Sequence, residues 1–145
     1  MRSTTDSRLG VSSAMLAAVA ALSGALVQVP RASADDPPMH QVTYTVSTKS
    51  PIYADIYYGD QDPAVFSDYS HNNYSFTPNI QADIAPGKPW TMQVMLANPG
   101  QWAVVTATTG RQPGTPQFHC ELAVDGVVKV SKDGPRGVLC SLRTW

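Results

Sequence analysis

Phe118-His119-Cys120-Glu121-Leu122-Ala123-Val124-Asp125-Gly126-Val127-Val128-Lys129-Val130 is the stretch from which the fold can be read. Phe118, Cys120 and Leu122 alternate with His119, Glu121 and Ala123, the period of two that turns one set of side chains to a core and the other to water. Asp125-Gly126 then breaks the run with a pair that tolerates left-handed backbone, and a second strand follows. A two-residue loop would set Lys129 on the face of Leu122. A three-residue loop, Val124-Asp125-Gly126 with Gly126 left-handed, aligns Leu122 with Val128 and Cys120 with Val130. The second is the expected register, and it puts Cys120 in the core where Cys140 on a neighbouring strand can meet it.

The same alternation recurs on both sides of this hairpin. Val42, Tyr44 and Val46 form one set, Ile52, Ala54, Ile56 and Tyr58 a second, and Trp90, Met92, Val94 and Leu96 a third. Trp102, Val104, Thr106 and Thr108 alternate with Ala103, Val105 and Ala107, and Val138, Cys140 and Leu142 share a face of the last strand. Pro86-Gly87, Pro99-Gly100, Pro113-Gly114 and Gly134-Pro135 fall between the runs, as turns require. About seven short antiparallel strands at this spacing indicate a small all-β sandwich or barrel over residues 40–145. Residues 59–89 are the least regular, with one short strand expected near Asn79 to Ile84. A long excursion on a small scaffold is where function is sought first.

Residues 1–34 read as a signal peptide. Arg2 and Arg8 precede an apolar stretch from Val11 to Val29, and Ala32-Ser33-Ala34 offers small side chains at a cleavage site, so Ala32 and Ala34 mark the expected cut. The alternative is an uncleaved membrane anchor, the only way in which the chain would touch a membrane. Residues 35–39, with Pro37-Pro38, are an extended leader. The expected location is therefore secreted or in the cell envelope. There the only two cysteines, Cys120 and Cys140, meet oxidising conditions and form a disulfide. In the chain-entropy view such a bridge adds about 3 kcal/mol.

After Ala34 the chain carries seven basic residues against ten acidic ones, scattered, which gives no footprint for nucleic acid. Asp60-Gln61-Asp62 has the opening of a calcium loop without the glycine and distal glutamate that complete it. His40, His71 and His119 are in no metal-ligand spacing, and no Gly-x-Ser-x-Gly elbow is present. Glu121 is the only glutamate, so a paired-carboxylate hydrolase would have to rely on aspartates. No cofactor and no enzyme activity are expected. Asn73-Tyr74-Ser75 matches a glycosylation acceptor, which matters only in a eukaryotic secretory pathway. All six tyrosines lie between Tyr44 and Tyr74, with Phe66 and Phe76 beside them. Tyrosine on strands is ordinarily sheet packing. The alternative is a partner or ligand surface made of Tyr58, Phe66, Tyr69, His71, Tyr74 and Phe76, since tyrosine covers apolar area while keeping a polar tip.

The succession Val42-Thr43-Tyr44-Thr45-Val46, Ala54-Asp55-Ile56-Tyr57-Tyr58, Pro89-Trp90, the hairpin from Cys120 to Lys129, and Cys140 resembles the MmpS family. These are small mycobacterial membrane-associated proteins that accompany MmpL transporters. The resemblance implies an immunoglobulin-like β-sandwich with a Cys120–Cys140 disulfide. It also implies an accessory role in exporting lipids or siderophores, with an MmpL-type transporter or such apolar cargo as partner. It carries no catalytic residue. The cleavage site and the long excursion suggest a secreted relative, so the alternative function is a freely secreted binding or interaction module for a host or cell-wall ligand.

Overall fold

A computed structural model describes residues 36–144 of the 145-residue chain. The signal-peptide reading, Ala32 and Ala34 included, lies outside the described residues. Eight strands follow in order: β1 His40–Thr48, β2 Ile52–Tyr58, β3 Asn79–Ile84, β4 Trp90–Leu96, β5 Val104–Thr108, β6 Phe118–Val124, β7 Val127–Gly134 and β8 Gly137–Ser141. They form two antiparallel four-stranded sheets, ordered β4-β1-β6-β7 (the first sheet) and β3-β2-β5-β8 (the second). The all-β sandwich with one disulfide is thus the fold, with eight strands where about seven were expected. Among the described residues, no helix is long and apolar enough to cross a membrane.

The alternating residues explain the architecture. Val42, Tyr44 and Val46 of β1 face Ala54, Ile56 and Tyr58 of β2 across a core completed by Val94, Leu96, Val105, Ala107, Phe118, Leu122 and Val138. Each fully buried aliphatic or phenyl side chain there contributes about 1.5–3 kcal/mol relative to exposure. Cys120 of β6 and Cys140 of β8 are buried in this core and bonded to each other, Cα atoms 6.1 Å apart, so the disulfide joins the two sheets. Tyr44 is a fully buried core residue with a polar tip. Its hydroxyl donates to the Gly59 carbonyl at 2.8 Å, and burial holds its pKa well above the phenol range. Gly59 has to be glycine, since a Cβ there would lie 2.4 Å from the Trp102 carbonyl oxygen.

Two local readings are corrected by the structure. The hairpin turn contains two residues, not three: Asp125 (φ 50°) and Gly126 (φ 80°) are both left-handed, and Val124 pairs with Val127. The register then shifts, with Ala123 opposite Val128 but Leu122 opposite Val130, so Lys129 is the extra residue of a β-bulge and Cys120 faces Lys132 instead of Val130. The bulge keeps Lys129 out of the row facing Leu122, which is what the longer loop was expected to do. The turn is braced from β1. Asp125 accepts from the Gln41 amide at 3.0 Å and meets His40 Nδ1 at 2.7 Å. The His40 contact, then the Gln41 amide, holds the Asp125 carboxyl below its usual pKa.

The second correction is at Trp102, which belongs to a helical turn, α2 (Pro99–Trp102), and not to a strand. Pro99 supplies a fixed φ at the first helical position, and the amides of Gln101 and Trp102 both donate to the Asn98 carbonyl at 3.1 Å. The strand begins two residues later, with Val105 and Ala107 turned inward.

Candidate functional site

Between β2 and β3 the excursion folds into a six-residue helix, α1 (Phe66–His71), and a 3-10 turn over Asn73–Ser75. Neither contains a fully buried residue, and Tyr69 of α1 is partly buried against the core. The excursion's two ends are stitched together, with the Asp60 amide donating to the Phe76 carbonyl at 2.9 Å and Gln61 Nε2 to the Ser75 carbonyl at 2.8 Å. Asp62 ties the loop to the turn after β4, since its carboxylate accepts the amides of Ala97 (2.7 Å) and Asn98 (2.9 Å). That use of Asp62 explains the Asp60-Gln61-Asp62 pattern without a cation. No group of three metal-ligating side chains suited to an ion exists among the described residues.

The expected aromatic surface is partly assembled. Tyr69 is its centre, with ring centroids 6.1 Å from Phe66 and 6.5 Å from Phe76. Trp102, not anticipated, completes it at 5.4 Å from Tyr69 and 6.3 Å from Phe66, the latter pair stacked. The Arg143 guanidinium lies over the Phe66 ring at 5.3 Å. Tyr74 stands apart from this cluster, against Tyr57 on the outer face of β2 at 6.2 Å. His71 is exposed and donates from Nδ1 to the Ser67 carbonyl at 2.6 Å. Tyr58 is withdrawn from the surface altogether: it is 8% exposed, packed on Tyr44 and Trp90 at 6.2 and 5.6 Å. The strand period required this, because Tyr58 is in phase with Ala54 and Ile56.

Beside Phe66 an open cleft of about 450 Å³ is bounded by Pro63, Ala64, Val65 and Trp102, with Asp62, Asn98 and Gln101 at its polar side. Val65 and Phe66 remain 55% and 51% exposed at its rim. The cleft exists because α2 and the excursion, tied by Asp62, project together past the strand ends. Pro99-Gly100 is the sequence signal that could have placed Trp102 there.

The outer face of the first sheet brings Asp133, His119 and Ser131 into line. His119 Nδ1 is 2.9 Å from the Asp133 carboxylate and Nε2 is 3.4 Å from Ser131 Oγ. The order is that of a catalytic triad, but Glu121 also stands 3.3 Å from Nε2. The hydrogen bond to Asp133 first, then that to Glu121, raises the His119 pKa. Carboxylates at both ring nitrogens favour the form that donates from both, whereas a triad histidine has one nitrogen free to accept the serine proton.

These features define a class: a small antiparallel β-sandwich, bridged between its sheets by a disulfide and carrying an aromatic cleft at one end. Residues 44–140 match the family model described as the Rv2576c beta-sandwich domain, and the chain belongs to that family. It is 45% identical over 126 residues to the uncharacterized protein Rv2576c of Mycobacterium tuberculosis H37Rv, covering 87% of this chain and 79% of that one. The same identity and coverage hold for the uncharacterized protein Mb2606c of Mycobacterium bovis. The resemblance to the MmpS family is thereby overturned. Alternating strands, a hairpin and two cysteines are demands of a disulfide-bridged sandwich in general, and they misled as a family signature.

Proposed function

We propose that the chain is an exported, non-catalytic binding module that holds the apolar part of a ligand, an acyl chain above all, in the cleft beside Phe66 and Trp102. The observation that carries this reading is the pairing of two half-exposed apolar side chains, Val65 and Phe66, with a concave wall made by Pro63, Ala64 and Trp102. Export is supported by the Arg2 to Ala34 segment and by the buried disulfide, which belongs to an oxidising compartment. An accessory role beside a transporter drew on the MmpS resemblance and is left without support. An apolar cargo draws on the chemistry of the cleft and is kept.

The test is a titration of residues 35–145 with sodium palmitate, followed by tryptophan fluorescence. A saturable change is expected, with affinity reduced about tenfold or more by Val65→Ser with Phe66→Ser, the loss implied by removing two apolar contacts. A linear response, or a double variant that binds as the parent does, removes the reading. Fractionation with N-terminal sequencing tests the compartment. A start at Asp35 in the culture filtrate supports secretion, and a full-length chain in the membrane supports the anchored alternative.

A further inference from the structure

The outer face of the second sheet carries another recess, of about 380 Å³, lined by Tyr53, Asp55, Gln81, Thr109, Arg111 and Gln112. It arises from a mismatch of strand ends. β2 begins at Ile52, but β5 pairs with it only from Asp55 to Tyr58. Where β5 stops at Thr108, the chain turns and its next residues form a wall beside the start of β2, which pairs with β3 on its other side. Tyr53 and Asp55, two apart on β2, point to the same side, and Gln81 on β3 is the register partner of Asp55.

The wall is fixed from behind. Arg136 donates from Nη1 to the Gly114 carbonyl (3.0 Å) and from Nη2 to Thr109 Oγ1 (3.2 Å) and the Gln112 carbonyl (3.3 Å). Its own carbonyl accepts the Thr109 amide at 3.1 Å. Gly110, at φ +56°, is drawn so close to Asp55 that a Cβ would lie 2.4 Å from Oδ2. Asp55 Oδ1 in turn accepts from Gln81 Nε2 at 3.0 Å. The carboxylate is therefore held in place before any ligand arrives, which lowers the ordering cost of binding. Tyr53, at 46% exposed, supplies the one aromatic face.

We propose that this recess binds a neutral saccharide. A pyranose has C–H groups on its faces and hydroxyls round its rim. The Tyr53 ring, electron-rich on its face, suits the first. Around it Asp55 accepts hydroxyl protons, Arg111 donates, and the Gln81 and Gln112 amides do both. A free sulfate or phosphate would meet the Asp55 carboxylate. An acyl chain would strip water from five polar side chains without replacing their hydrogen bonds. An amino acid could pair with Asp55 and Arg111 but would leave Tyr53 uncovered, so glycine is the competitor to include.

The experiment is an array of neutral oligosaccharides (maltose, cellobiose, lactose and mannobiose series) probed with residues 35–145, then calorimetric titration of whichever binds, with glycine and sodium sulfate alongside. At least one saccharide should bind saturably. Tyr53→Ala and Arg111→Ala, both at exposed positions that leave the core intact, should each weaken it about tenfold, as loss of one ring contact or one charged donor does. Phe66→Ser should leave saccharide affinity unchanged, so failure here is distinct from failure of the acyl-binding reading. The proposal falls if no saccharide binds, if glycine or sulfate binds in its place, or if both variants bind saccharide as tightly as the parent.

Discussion

The space between the sheets and the excursion from Gly59 to Pro78 are ordered by different means. Between the sheets, order comes from burial: Val42, Leu96, Phe118 and Leu122 are inaccessible, and a covalent bond between Cys120 and Cys140 crosses the middle. In the excursion the helix and 3-10 turn hold no fully buried residue, Tyr69 packs partly against the core, and the rest of the order comes from Asp62 gripping two amides, a backbone bond from Asp60 to Phe76, and rings resting on Trp102. The lesson is a division of labour. One region can lose little without unfolding, whereas the other can change its surface chemistry while the scaffold stands.

Four variants would break or sharpen that contrast, each read by urea unfolding. Phe118→Ala empties a buried phenyl site between the sheets and should cost the most, about 3–5 kcal/mol. Removing the bridge with Cys120→Ala and Cys140→Ala together should cost about 3 kcal/mol, and a much smaller loss would mean that packing alone holds the sheets together. Tyr44→Phe leaves the buried Gly59 carbonyl without its donor and should cost about 1–3 kcal/mol. It is the most informative of the four, because Gly59 is where the scaffold hands over to the excursion. Phe66→Ser, in the excursion itself, should cost about 1 kcal/mol or less, and a core-sized loss would erase the distinction.

A smaller effect concerns the edge strand β7, which His119 ties to β6 through Asp133. The His119 pKa is raised above its unfolded value, so its contribution is complete below about pH 6.5 and disappears as pH rises through the folded value. Stability should therefore fall slightly more between pH 6 and pH 8 in the parent than in His119→Gln. At a third exposed, the contact is screened, and the difference should be about 0.5 kcal/mol or less. Equal pH slopes would remove the charged contact from the account.

The strands were legible because a sheet with one wet face writes its period into the chain, as at Val42, Tyr44 and Val46. The bulge at Lys129 was not, since a two-residue turn plus one extra residue gives the same polar and apolar pattern as a longer loop. Helix α1 left no trace, being six residues long with no buried face to repeat. Of the aromatic cluster, Phe66, Tyr69 and Phe76 could be grouped because they are near in sequence. Trp102 lies 26 to 36 residues further along the chain, and only the fold unites them. The second recess was invisible for the same reason: Tyr53, Gln81 and Arg111 lie on three separate segments and look like ordinary solvent-facing positions.

The position of the disulfide has a consequence for survival among proteases. Of the five lysines and arginines that follow β5, the targets of a trypsin-like enzyme, Lys129, Lys132 and Arg136 lie inside the loop that Cys120 and Cys140 close, while Arg111 and Arg143 lie outside it. A cut at any of the three inside would open the backbone without releasing a fragment. The nicked molecule would keep its mass until a reductant arrived, and β8 would stay tethered beside the sheet it completes.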